Sequence, residues 1–444
     1  MRKMPLAIWS LVIASFAMGA DEFIVAGVVA EIADALGVTI GAVGLFESAY
    51  AIGVAIGAPL FAAFSGKASR RTMLLTAAGI FLVGNVISLT GLNYGWIMSG
   101  RVVAALAHGA FFGIAAVFAA ELVAPKLKGR AIATVFAGST AATILGAPIG
   151  AAIGRALGWR ATFGTLVLFG AIALVGLLVL VPRSIGRARV RQISDGHEHN
   201  HDHSHGHADA DAHAADDAEL DAHARMHLGG SGTAPLKKQL RALRRPSVLV
   251  GLLTTLLGYG GVFTSYVYLA PQITEATGLS EAWVTPMFLL FGVGLFAGNH
   301  LGGKFADRNG RGALVGTVAA LTVMLFAMTL LIHNPITAAI GVLLYGIAAF
   351  SVVAPLQLRV MTMAGDAPDI ASAANISAFT LGSALGIWLG GAAIDAGLGV
   401  ASVNWVGGLI SGAGLLAALA SVWLQRRHPV AQPAAPHAHG AHHH

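Results

Sequence analysis

Asp21, Glu22, Glu47 and Arg101 stand inside stretches that are otherwise almost wholly apolar. An ionisable side chain in such a setting is costly, and the default expectation for it is a function. Carboxylates and a guanidinium at one depth pair when charged. An acid in that company also exchanges protons with any aqueous crevice that reaches it: burial favours the neutral form, a guanidinium the ionised one, and a movement that changes either loads or releases a proton. Counted at 1.5 Å per residue, the four side chains fall within roughly 10 Å of one another in height. Static pairing between helices is the alternative use of the same residues. Neighbouring positions on a helix point about 100° apart, so only one of Asp21 and Glu22 faces a given cavity. Glu47 lies nearer a helix end, where it either joins the others or reaches the membrane interface. His108 follows Arg101 by seven residues, two turns along the same face. An imidazole there suits a proton relay; a neutral ring hydrogen-bonded within the bundle is the alternative.

A second set of residues suits a soluble ligand. His197, His199, His201, His203, His205 and His207 alternate with small, polar or acidic residues, in a segment (195–227) holding nine His and nine Asp or Glu. Neutral imidazoles beside carboxylates suit Zn, Ni, Co or Cu(II). No tetrahedral ligand spacing is visible, so the expectation is a loose chelating tether and no required cofactor. A dispensable linker that binds metal incidentally is the other reading. The segment cannot bury a core, and its composition predicts disorder. With no cysteine, disulfides, thiolate metal sites and thiol catalysis are excluded. No nucleophile–base pairing or phosphate loop stands out, which points away from an enzyme.

The elements that position these residues are twelve apolar runs, at about 6–29, 41–64, 72–92, 96–122, 131–156, 161–181, 247–271, 284–302, 312–331, 336–360, 370–393 and 404–424. Most are close to twenty residues or longer, enough for a helix to cross roughly 30 Å of hydrocarbon. Composition agrees: 56% of residues are hydrophobic, 11% are charged, and the mean hydropathy is +0.74. The predicted class is an all-α membrane protein with twelve transmembrane helices in two six-helix bundles. The bundles are 1–181 and 247–425, joined by a cytoplasmic linker (182–246) and followed by a tail (426–444). With the N-terminus inside, all but Arg101, Arg155 and Arg160 of the 27 Lys and Arg fall in or beside cytoplasmic segments. That bias predicts both termini in the cytoplasm of a bacterial inner membrane. It also makes the basic residues topology determinants, so the pI of about 9.8 calls for no nucleic-acid partner. The first run is too long for a signal-peptide core and is read as a retained helix.

The halves repeat each other. Gly57-Ala58-Pro59-Leu60 through Arg70 aligns with Gly298-Asn299-His300-Leu301 through Arg311, and Gly146, Gly150 and Gly154 align with Gly382, Gly386 and Gly390. Parallel repeats place a substrate path at their interface. Glycines four apart let backbones approach closely, for packing or for gating. Pro148 removes one backbone bond and allows bending. Tyr259, Phe263, Tyr266 and Tyr268, with Gln357 and Asn375, either line the path or pack the bundle. Each half supplies the other's interface, so the expected state is a monomer.

Gly302-Gly303-Lys304-Phe305-Ala306-Asp307-Arg308-Asn309-Gly310-Arg311 resembles the loop signature between the second and third helix of each half in the major facilitator superfamily. Arg101 and Gly146-Ala147-Pro148-Ile149-Gly150 resemble motifs of the twelve-helix drug:proton antiporters. Glu22-Phe23, His108-Gly109-Ala110-Phe111-Phe112-Gly113 and Gly158-Trp159-Arg160 look like the branch of arabinose efflux permeases and chloramphenicol exporters. The resemblance implies the major facilitator fold, two rocking bundles, and efflux of sugars, sugar analogues or antibiotics against inward proton flow. It picks Glu22 over Asp21 as the carboxylate, with Arg101 as its partner. Asp307, Arg308 and Arg311 would hold one conformation through charge contacts at the cytoplasmic side. Three departures stand out: Gly66 replaces Asp307 in the first copy, Ala104 and Ala105 replace Gln and Gly, and Thr380 and Ser383 stand where the branch often has asparagines. The long histidine-rich linker is also atypical. It keeps open export of a divalent metal ion, or regulation of an organic-compound exporter by metal on the loop.

Overall fold

The structure, a computed structural model, describes residues 5–64, 69–124, 127–181, 243–308, 310–365 and 368–427. Twelve helices among them are long and apolar enough to cross a membrane. They are α1 (Leu6–Ile24), α2 (Ile40–Phe64), α3 (Arg70–Thr90), α4 (Tyr94–Glu121), α5 (Lys128–Leu157) and α6 (Trp159–Leu180) in the first half. The second half holds α7 (Pro246–Tyr266), α8 (Val284–Arg308), α9 (Gly310–Leu331), α10 (Pro335–Ala364), α11 (Pro368–Ala393) and α12 (Ser402–Arg427).

Local chemistry sets the ends and breaks. Asn93 accepts from the Trp96 amide at 2.9 Å to start α4, and Asn334 accepts from Ile336 at 3.0 Å where Pro335 opens α10. α7 stops at Tyr266, earlier than the apolar run, because Pro271 has no N–H for the Val267 carbonyl. The same deficit at Pro355, facing the Ser351 carbonyl, accompanies the interruption of α10 at Val352. Gly158 joins α5 to α6 with a φ of 85°, a conformation open to glycine and strained for other residues. Arg160 then donates to the Gly91 carbonyl at 3.2 Å, pinning the α3–α4 turn.

Packing repeats between the halves. α1 lies on α5 and α6, α2 and α3 lie on α4, and α3 lies on α6; α7 to α12 reproduce this set. The glycine repeats make the closest approaches. A methyl at Gly150 would fall on the Ile24 carbonyl of α1, and one at Gly386 would fall on the Gly260 carbonyl of α7. Packing is therefore one use of these glycines.

The halves meet along two seams, α2 with α11 and α5 with α8. One end of the bundle carries Arg70, Arg71, Arg130, Arg308 and Arg311 and is called the basic side; the far side holds the turns at Gly91 and Gly158. Named contacts across the seams favour the far side. Thr39 Oγ1 donates to Asp395 Oδ2 at 3.0 Å, and the Tyr268 ring fills the space that Gly44 leaves. Closer to mid-depth, Ser48 donates to the Ala384 carbonyl at 3.1 Å. Gly292 of α8 meets Ile144 of α5, whose carbonyl is the one that Pro148 cannot satisfy.

Asp395 also faces the first turn of α2, where a carboxylate complements unpaired amides. Asp395→Ala should weaken far-side closure by about 1.5 kcal/mol, roughly tenfold in population. Spin labels at Ala35 and Leu398, in a chain without native cysteine, should then show a longer distance population. An unchanged distribution would remove Asp395 from the closure.

Candidate functional site

The membrane-embedded charges converge on Arg101. Its guanidinium is fully enclosed, at 1% exposure, and bridges two acids from two other helices. One terminal nitrogen binds the Asp21 carboxylate of α1 and also the Asp21 backbone carbonyl at 3.0 Å. The other binds Glu47 of α2 at 2.6 Å. Asp21 is 0% exposed and Glu47 is 4% exposed, so none of the three charges has a water-facing alternative in this conformation. The planar fork of an arginine suits this bridge, which a lysine's single ammonium would not reproduce.

Helix packing explains the convergence. α3 and α4 approach closely where Gly84 faces the backbone at Gly100 and Ala104. Asn85 of α3 then donates to Asp21 Oδ2 at 3.1 Å, the carboxylate oxygen that the arginine's ion pair leaves open. The Arg101 guanidinium lies 4.1 Å above the Tyr50 ring, a cation–π contact that closes the cluster toward the basic side. Sequence reasoning missed Asn85 and Tyr50. The usable signal was Tyr50 one turn after Glu47 on α2.

Glu22 corrects the motif-based pairing. It is half-buried and makes no hydrogen bond or ion pair among the described residues, whereas Asp21 and Glu47 occupy both ends of Arg101. The 100° between adjacent positions turns Asp21 toward α3 and α4. It leaves Glu22 on the side of α1 toward Tyr259 and Tyr266 of α7. Glu47, placed by sequence near a helix end, is a full member of the cluster. His108 lies in the bundle with Nδ1 at 2.9 Å from the Tyr50 hydroxyl.

The aromatic residues of α7 are buried at the junction of the halves. Phe23 of α1 meets Phe263 at 6.0 Å and Tyr266 at 5.8 Å, and Tyr259 meets Phe350 and Phe379 at 6.3 and 4.8 Å between centroids. One turn further toward the basic side, Asn375 donates to Gln357 at 2.6 Å and Gln357 to Ser372 at 2.7 Å. Thr380 and Ser383 donate to carbonyls of their own helix, which occupies their hydroxyl protons. Tyr268 donates to the Ile387 carbonyl at 2.9 Å.

Gly146 and Gly150 face α1, and Pro148 lies inside α5 as the sequence placed it. In the loop signature, Gly303 has open space around it, Gly310 opens α9, and Asp307, Arg308 and Arg311 are exposed at the basic side. None of the three forms an ion pair among the described residues. Gly66 and the histidines from His197 to His207 lie outside the described residues. Among the described ones, no three His, Asp or Glu side chains converge on a common metal position.

The buried two-acid, one-arginine cluster lies inside the first of two parallel six-helix repeats, and comparison with known proteins decides the family. A family model described as Major Facilitator Superfamily matches residues 11–376. The chain belongs to the Major Facilitator Superfamily. It is 38% identical over 408 residues to the inner membrane transport protein YdhP of Escherichia coli (strain K12), covering 92% of this chain and 93% of that protein. It is 32% identical over 415 residues to a chloramphenicol resistance protein of Streptomyces lividans, covering 94% and 96%. The solved D-xylose-proton symporter superposes with a TM-score of 0.67 at 16% identity, covering 94% of this chain and 96% of that one, a likeness of fold. This superfamily member is a multi-pass membrane transporter acting on small molecules, and it is not an enzyme.

Proposed function

We propose that this transporter exports small organic compounds across a bacterial inner membrane in exchange for protons. The observation that carries the reading is the charge count at Arg101: two acids share one guanidinium in a site closed to water. With both acids ionised the buried site holds a net negative charge, and one proton neutralises it. A swing of the bundles that admits water to the site lets that proton leave. Inward proton flow then drives the opposite swing with cargo bound.

The basic side is the cytoplasmic one in this reading, with both termini there. Cargo occupies the seam between Glu22, the α7 aromatics and the Gln357–Asn375 pair. That lining suits flat, amphipathic molecules, and similarity to a chloramphenicol resistance protein supports antibiotics among them. A monomer suffices, because each half covers the other's interface. The loop histidines serve at most as a tether that gathers Zn, Ni, Co or Cu at the cytoplasmic face.

Everted vesicles holding an acid-inside pH gradient test the proposal. Members of a panel of antibiotics, sugars and sugar analogues should discharge the gradient only when the protein is present. Discharge by Zn, Ni or Co salts, with no organic compound active, would replace organic export with metal export.

A further inference from the structure

Tyr50 and His108 continue the charged cluster toward the basic side. α2 and α4 both run from the far side to the basic side, so Tyr50 lies one turn beyond Glu47 and His108 lies two turns, about 10 Å, beyond Arg101. The Tyr50 hydroxyl is 2.9 Å from His108 Nδ1, interacts with the Asp21 carboxylate, and lies 3.4 Å from the Met18 carbonyl. It has one proton and several acceptors, so it can point two ways. Pointing at His108, its oxygen is free to accept from a protonated acid; pointing at the acid, it accepts from His108. The imidazole is 6% exposed and marks the inner end of the chain. One turn further along α4, Phe112 is half-buried and Gly113 has open space around it.

We propose that Tyr50 and His108 form the path by which the proton held at the Asp21–Glu47–Arg101 cluster leaves toward the cytoplasm. The inference rests on the proton-coupled reading above. The step balances without a co-reactant. The acid O–H passes its proton to the Tyr50 oxygen as the Tyr50 O–H passes its own to His108 Nδ1. The ring then gives up its Nε2 proton to water; a water-assisted shift of the remaining proton from Nδ1 back to Nε2, and rotation of the hydroxyl, reset the chain. Groups acting on Tyr50 are Asp21 and Glu22 from α1, Glu47 on its own helix and Arg101 from α4; Arg101 also acts on His108.

The test is rapid-mixing infrared spectroscopy of the purified full chain after a jump from acidic to alkaline pH, following loss of the neutral carboxylic acid band. Tyr50→Phe keeps the ring beneath Arg101 and removes only the hydroxyl, and His108→Gln keeps a polar partner for Tyr50 that does not titrate. Each should slow the loss about 10²-fold, the scale for removing a positioned proton-transfer group, with the same end point. Wild-type rates in both variants would overturn the path while leaving the cluster's proton intact. A changed end point with an unchanged rate would make the pair structural and also overturn it. Absence of the band in the wild-type protein would instead strike the proton-coupled reading itself.

Discussion

Glu47→Gln should abolish the discharge of a pH gradient by transported compounds while leaving their downhill movement in place. Glutamine has nearly the shape of glutamate and its amide oxygen can still accept from Arg101, so the bridge to α2 survives. What it lacks is the second negative charge. Arg101 and Asp21 alone then form a neutral pair that has no use for a proton in either conformation. The expected loss of coupled transport is about 10² or more, the range seen when a side chain that transfers a proton is removed. Asp21→Asn should behave alike, because the shared charge matters more than which oxygen carries the proton. Glu22→Gln should lower affinity for some compounds and keep coupling, since Glu22 lies outside the ion pairs. Loss of coupling in Glu22→Gln, with coupling kept in Glu47→Gln, would reverse these assignments.

Arg101→Ala should be the most destabilising single change in the first half. It strips the countercharge from two acids that are 0% and 4% exposed and opens a cavity beside Tyr50. Breaking a buried ion pair from one side costs about 3–5 kcal/mol. Protonation of both acids would recover part of that, so the loss should shrink in acidic buffer. The triple variant Asp21→Asn, Glu47→Gln, Arg101→Met removes all three charges and should recover most of the stability with none of the coupling. Thermal unfolding in detergent, followed by size-exclusion chromatography, reads both effects. A triple variant no more stable than Arg101→Ala would mean that the cluster is held by shape and not by charge.

Much of this arrangement was legible in the residues themselves. Long apolar runs fixed the number of crossings, and the repeated glycines predicted equivalent close approaches by α5 and α11, which the structure makes against α1 and α7. Charges buried in apolar runs pointed to Asp21, Glu47 and Arg101, because an ion at that depth is too costly to keep unless it is paired or at work. Pairing was harder. The motif around Glu22-Phe23 favoured Glu22, and only the rotation of α1 against α3 and α4 decides that Asp21 faces the arginine. Asn85 could not be singled out, because a neutral polar residue in an apolar helix carries little signal until its neighbours are known, and Tyr50 offered only its place one turn after Glu47. The breaks in α7 and α10 follow from Pro271 and Pro355, each set against the carbonyl four residues earlier.

The proposed coupling rests on two acids and one arginine storing a single proton inside the first bundle. Infrared spectroscopy of the purified protein at neutral pH measures this without any substrate. One neutral carboxylic acid C=O band is expected in the wild type, and it should disappear in Asp21→Asn and also in Glu47→Gln. A wild-type spectrum without the band, or a band that survives both substitutions, would contradict it.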